Sequence, residues 1–283
     1  MSVIVDESHV DPVGAALFGI DGDTVTATEY ARGPWAPRAC HGGPVAALLL
    51  RAVEGLQAGE HDRAADAVAW QIARTTIELV RPVPVLVPMT VSAEVERPGR
   101  NVGLVASALR TVDGVEVARA RTLRIRATPM PLDVHDEPDA PLGEPGTGRR
   151  VVLSWAASDG IAYHRDAIEL RFVAGHFDEP GPAQLWCRLR VPVVHGEEPS
   201  GAQRVVAAAD FGNGVSAELD PQVVTFINPD LTVNFARRPE GEWVGLDARS
   251  HYGPMGAGFA ESAVFDQAGR VGRAAQSLLV SPR

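Results

Sequence analysis

The sequence predicts an α+β protein of two tandem units, each a buried helix laid against an antiparallel sheet that curves around it. Three observations predict it. An apolar helical run is followed by a meander of β-prone segments set apart by proline and glycine, the same order of elements occurs twice, and a Pro/Gly/acid-rich segment separates the two occurrences. A helix and a sheet each have an apolar face to bury, so a helix followed by a long meander lays one on the other. Two such sheets joined side by side remove edges that invite aggregation. At about 100–200 residues per domain, a chain of 283 residues suits two modest domains.

In the first unit, 25–30 is β-prone and leads to a turn at Gly33-Pro34. Gly42-Gly43-Pro44 then opens the run Val45-Ala46-Ala47-Leu48-Leu49-Leu50-Arg51-Ala52-Val53-Glu54. Proline in the first turn and the alanine and leucine content make this a helix, ending near 55–59. It is apolar almost all round, so it is buried. Strand candidates follow at 69–80, 89–96, 102–111 and 115–125, divided by Arg81-Pro82, Pro98-Gly99 and Asp113-Gly114. The composition of 127–150 opposes helix and strand. It divides the chain into a domain at 1–128, a linker at 129–150 and a domain at 151–283.

The second unit repeats the plan, with strands at 168–173 and 184–191, a helix at 200–210, and strands at 223–236, 243–250, 258–265 and 270–280. Thr76-Ile77-Glu78-Leu79-Val80-Arg81-Pro82 is similar to Thr232-Val233-Asn234-Phe235-Ala236-Arg237-Arg238-Pro239, and Val117-Ala118-Arg119-Ala120 to Val271-Gly272-Arg273-Ala274. The order of elements, more than the letters, argues for a tandem duplication.

All 26 basic side chains are arginine. A Walker-A phosphate loop, a Schiff-base enzyme and a kinase each need a lysine, so those classes are excluded. A formal net charge of −10 disfavours nucleic acid and anionic membrane as partners. Cys40 and Cys187 could pair, but they form no disulfide framework, and no Cys/His spacing suggests a metal. The N-terminus lacks the basic and apolar regions of a signal peptide. No apolar run reaches the about 18 residues that a membrane span needs. The expected compartment is the cytoplasm.

Five positions attract attention on chemical grounds. Gly42 and Gly43 stand at a helix N-terminus, where backbone N–H groups are unsatisfied, and suit oxyanion donation, close backbone approach or a plain turn. His41 beside them could orient substrate or water, or cap the helix. Asp210 ends an apolar helical run, where a carboxylate opposes the helix dipole, and such a local penalty marks candidate functional sites. Gln276 interrupts the small and apolar run Ala274-Ala275-Gln276-Ser277-Leu278-Leu279-Val280, and a buried amide needs hydrogen-bond partners.

The stretch His41-Gly42-Gly43-Pro44-Val45-Ala46-Ala47-Leu48-Leu49 resembles the helix-opening motif of acyl-CoA thioesterase II-like double hotdog proteins. Ala207-Ala208-Ala209-Asp210-Phe211-Gly212-Asn213-Gly214, Phe226-Ile227-Asn228-Pro229-Asp230-Leu231-Thr232-Val233 and Gly269-Arg270-Val271-Gly272-Arg273-Ala274-Ala275-Gln276-Ser277 are similar to three motifs of its second half. The order of motifs, over roughly residues 15 to 281, is more specific than any one of them.

The resemblance implies a double hotdog fold and hydrolysis of acyl-CoA thioesters without cofactor or metal. It carries to Asp210 and Gln276 the role of positioning and activating a water. The family has a threonine where this chain has Phe226, with Thr225 beside it and Ile227-Asn228 following. Strand parity puts Phe226 and Asn228 on one face, which makes Asn228 the candidate to supply the missing polar group. The first half lacks an acid–glutamine set, with Thr122 standing where Gln276 does, so one site per chain is expected. Substrate contacts are expected at His41, Gly42 and Gly43. Arginines, among them Arg119, Arg121, Arg124 and Arg126 along one strand, are candidates for CoA phosphates. Association through sheet edges makes a homodimer the expected assembly. Two rival readings remain: an enoyl-CoA hydratase, which pairs an acid with a histidine, and a non-catalytic acyl-CoA-binding protein.

Overall fold

The computed structural model describes residues 3–4, 12–61, 70–128, 142–153 and 160–283. The first unit runs β1 (Val3–Ile4), β2 (Phe18–Asp21), β3 (Thr24–Ala27), α1 (Gly42–His61), β4 (Trp70–Leu79), β5 (Pro88–Arg97), β6 (Val102–Thr111) and β7 (Glu116–Arg126). The second runs β8 (Arg149–Arg150), β9 (Val152–Leu153), β10 (Ile168–His176), β11 (Glu179–Leu189), α2 (Gly201–Ala209), α3 (Gly212–Val215), β12 (Val224–Ile227), β13 (Asp230–Phe235), β14 (Trp243–Tyr252), β15 (Ala257–Asp266) and β16 (Gly269–Pro282).

Pro44 lies in the first turn of α1, where a missing N–H removes no intrahelical bond. Every residue from Val45 to Leu50 is buried. Burial of Leu48, Leu49 and Leu50 stabilises the fold by about 2 kcal/mol each. One side of α1 lies on β5, β6 and β7, and another packs on α2, whose own sheet contacts are with β11, β13, β14 and β15. The structure is therefore two helices in contact, each wrapped by a sheet: the double hotdog arrangement.

Fourteen strands form one antiparallel sheet, in the order β2-β3-β5-β6-β7-β4-β13-β16-β15-β14-β11-β10-β8, with β12 also on β16. The two halves meet at the β4–β13 seam. There Thr76 pairs directly with Thr232, and their hydroxyls lie 3.1 Å apart. These are the residues that the repeat aligns with each other, and equivalent strands related by a local two-fold axis must cross at such a pair. The helices are tied near the far end as well, where Ser200 Oγ and Gln203 Nε2 donate to Glu54, at 2.8 and 2.6 Å.

Several expected elements take a different form in the structure. The strand expected at 25–30 is β3 followed by a 3-10 turn at Glu29–Ala31, capped by Thr28 Oγ1. The single strand expected at 223–236 is two, because Pro229 has no N–H for the ladder and the chain jogs at Asn228-Pro229. Helix α1 continues to His61. Of the expected linker, 129–141 lie outside the described residues, while Pro145–Thr147 form a 3-10 turn and Arg149–Arg150 pair with β10. Cys40 and Cys187 are separate free thiols, and burial pushes the Cys40 thiol up to about 12. Among the described residues no helix is long and apolar enough to cross a membrane.

Candidate active site

Asp210 is the C-cap of α2, so its own helix dipole disfavours its charge. The fold compensates from the other half. The N-terminus of α1 meets this carboxylate, and the Gly43 N–H donates to Oδ2 at 2.8 Å across 167 residues of sequence. His41 Nδ1 lies 2.6 Å from the same oxygen. Oδ1 accepts from Asn228 Nδ2 at 2.7 Å and from Gln276 Nε2 at 3.1 Å. The buried carboxylate thus receives four donors, two at each oxygen.

This arrangement fixes the histidine tautomer. Gly43 N–H is closer to the carboxylate than to Nδ1, from which it lies 3.3 Å. The Nδ1 proton therefore points at Asp210, and in the neutral ring Nε2 carries the lone pair. Nε2 has no hydrogen-bond partner among the described residues. The ring is wedged between Tyr163, at 5.0 Å between centroids, and Phe211, at 4.8 Å.

Both helix-opening glycines serve close approach. A Cβ on Gly43 would lie 2.3 Å from the Ala207 carbonyl oxygen, and one on Gly42 would lie 2.8 Å from Asp210 Oδ2. Of the roles its sequence context allows, close backbone approach is the one seen at Gly43, whose N–H donates to Asp210.

Gln276 is buried and fully bonded. Its Nε2 also donates to the Asp210 carbonyl at 3.2 Å, and its Oε1 accepts from Asn213 N at 3.0 Å. Asn228 Nδ2 likewise places its second contact on Asp230 O at 3.3 Å. Phe226 is buried and lines the cavity with Asn228, so the polar contact at this motif comes from Asn228. In the first half, Thr122 Oγ1 meets Thr75 Oγ1 at 3.0 Å, with no acid between them.

The cluster forms one wall of a cavity of about 1240 Å³ lined from both halves. Val45, Leu79, Val83, Phe177, Phe211 and Phe226 supply its apolar lining, and Trp35 stands edge-on to Phe226 at 5.9 Å. Gly42 also borders it. Three of the four strand arginines are engaged elsewhere: Arg119 pairs with Glu78, Arg121 with Glu96, and Arg124 lies over the Trp70 ring at 4.6 Å.

Burial raises the Asp210 pKa, but the His41 ring, the Asn228 amide and the Gly43 N–H outweigh it and hold the carboxyl below its ordinary value. A depressed folded pKa contributes stability above the unfolded value of about 3.9, and that stability is lost as pH falls through the folded pKa. The melting-temperature difference between wild type and Asp210→Asn is therefore expected to change as pH falls below about 4, because only wild type has this proton linkage. A pH-independent difference would show that the carboxylate is not held ionised.

Sequence reasoning singled out His41, Gly42, Gly43, Asp210, Asn228 and Gln276, and the fold gathers all six around the Asp210 carboxylate, with His41, Gly42, Asp210 and Asn228 lining the cavity. It missed Tyr163, His164 and the Asn213 N–H. Tyr163 and His164 belong to a π-helical turn, Tyr163–Ala167, where no apolar period draws attention to them. Asn213 was hidden inside a glycine turn.

Two family models match successive parts of the chain. The model of the acyl-CoA thioesterase N-terminal domain matches residues 31–125, and that of the acyl-CoA thioesterase C-terminal domain matches residues 132–280. A hot-dog-fold protein from Alicyclobacillus acidocaldarius is similar in structure, with a TM-score of 0.67, 18% identity, and 94% of this chain and 95% of that one covered. An acyl-CoA thioesterase II from Mycobacterium marinum is similar with a TM-score of 0.61, 15% identity, and 94% of each chain covered. These identities show the fold. No curated protein matches the chain.

Proposed function

The chain belongs to the acyl-CoA thioesterase family, and from that premise we propose that it hydrolyses acyl-CoA thioesters at the Asp210–His41 cluster. The observation that carries the proposal is the 2.6 Å contact of His41 Nδ1 with a buried carboxylate at the wall of a large apolar cavity. Asp210 already receives four donors, so it is a poor base for a water. It acts better as the group that orients His41 and stabilises its charged form.

The steps follow from this pairing. Nε2 accepts a proton from water, and the resulting hydroxide attacks the thioester carbonyl. The tetrahedral intermediate collapses, the carbon–sulfur bond breaks, and the Nε2 proton passes to the departing sulfur, releasing fatty acid and CoA. Gln276 and Asn228 are positioning residues in this scheme, since their amide protons hold Asp210 and its neighbours. The apolar lining suits the acyl chain. The cytoplasm and a homodimer remain the expected setting.

The test is thiol release from acyl-CoAs of short, medium and long chain. Turnover by wild type is expected, falling about 10²–10⁴-fold in His41→Ala, the usual span for a general base, with partial recovery on adding imidazole. Absence of turnover at every chain length overturns the proposal. A His41→Ala variant near wild-type activity would instead move water activation to Asp210. A second reading, hydration of an enoyl-CoA, is favoured by the same acid–histidine pair. Loss of the enoyl absorbance of crotonyl-CoA without release of thiol would support it.

A further inference from the structure

Thioester hydrolysis needs a donor for the oxyanion, and the Gly43 N–H at the head of α1 is already bonded to Asp210. We infer that His164 supplies that hydrogen bond, steadying the thioester carbonyl and the oxyanion formed from it; this rests on the hydrolytic reading above.

His164 is 2% exposed, and neither Nδ1 nor Nε2 has a hydrogen-bond partner among the described residues. Buried polar groups are almost always paired, so an orphaned imidazole calls for a partner that arrives with a ligand or water. The residue borders the same cavity as His41 and Asp210. Its backbone is firmly held. The Ala162 N–H donates to Asp166 Oδ2 at 2.8 Å, the Tyr163 N–H to Arg32 O at 2.9 Å, and the Tyr163 hydroxyl to Ala207 O at 3.0 Å. The π-helical turn that carries it is a local irregularity of a kind frequent at functional sites.

Burial, then the charges of His41 and Arg165, push the His164 pKa down to about 3. The ring therefore stays neutral, keeping one N–H to donate and adding no charge beside the base. Its nitrogens are closed to bulk water. Histidine χ2 is a broad, roughly two-fold torsion, so the ring can present an N–H to a bound carbonyl without backbone movement. The two histidines then divide the work: His41, held by Asp210, moves the proton, and His164, unpaired until substrate binds, receives the developing charge.

The test uses His164→Leu and His164→Gln in the full chain. In His164→Leu, kcat is expected to fall about 100-fold, the scale of losing one oxyanion donor, with KM little changed. The melting temperature should not fall, because an apolar side chain replaces an orphaned polar one. His164→Gln, which keeps an amide donor, should recover part of kcat. Ring-nitrogen NMR separates this from turnover. A ketone analogue of acyl-CoA, with methylene in place of the thioester sulfur, should shift the His164 resonances, and an S-alkyl-CoA thioether without the carbonyl should not.

Wild-type-like kcat in His164→Leu, a kcat loss accompanied by a lower melting temperature, or the same response to both analogues overturns the inference while leaving the hydrolytic reading intact. Wild type without turnover overturns that reading, and the analogue comparison then decides the role of His164 alone.

Discussion

Asp210→Asn is expected to reduce kcat for acyl-CoA hydrolysis by roughly 10³–10⁴-fold, the scale seen when a buried aspartate no longer fixes its histidine, with the fold retained. Four donors converge on the carboxylate: the Gly43 N–H and His41 Nδ1 at one oxygen, the Asn228 and Gln276 amides at the other. Asparagine has one acceptor oxygen and one NH₂ group, so one pair of donors must face another donor. The ring can accommodate an NH₂ only by accepting at Nδ1. Its proton then sits on Nε2, and the base is lost. Steady-state thiol release checks this, and circular dichroism shows that the loss is not unfolding. Activity within tenfold of wild type would remove Asp210 from the mechanism.

Gly43→Ala is expected to be the most damaging single-methyl change in the helix. The new Cβ would lie 2.3 Å from Ala207 O and 3.1 Å from Ala207 C, which are backbone atoms that cannot swing aside. Helix α1 must retreat from α2. Overpacking of this kind costs about 1–3 kcal/mol or more. At about 2–4 °C per kcal/mol for a chain of this size, the melting temperature should fall by several degrees. The retreat also lengthens the Gly43–Asp210 bond and strains the Tyr163–Ala207 bond, so activity should fall with stability. Gly55→Ala in the same helix is the control. Nothing lies within 4 Å of its added Cβ, so a gain in helix propensity should leave stability equal or higher. If the two variants melt alike, close approach is not the reason for Gly43.

The same two positions show how much a linear reading can reach. Gly43 was conspicuous because a glycine pair followed by proline opens an apolar run, and Asp210 because an acid at a helix C-terminus opposes the dipole. Both signals are local. The Gly43–Asp210 bond is not local: it spans 167 residues, and its compensation of the α2 dipole by the α1 N-terminus exists only once the helices cross. Asn228 was read as a substitute for a missing hydroxyl, and the jog at Pro229 is what turns its amide toward Asp210. His164 gave no signal at all, because its distinction is an absence of partners, which only packing reveals.

By itself the sequence indicated most of the elements, their order, a repeated plan and six polar or glycine positions worth attention. Apolar period, proline and glycine placement and capping act over a few residues and are written in the order of the letters. The tertiary structure alone decided that β4 and β13 form the seam, that Asp210 receives rather than lacks electrostatic support, that the Gly43 N–H is taken, and that one histidine is paired and another is not. Those outcomes depend on which ends of distant elements meet, and burial sets the strength of each contact only after they have met.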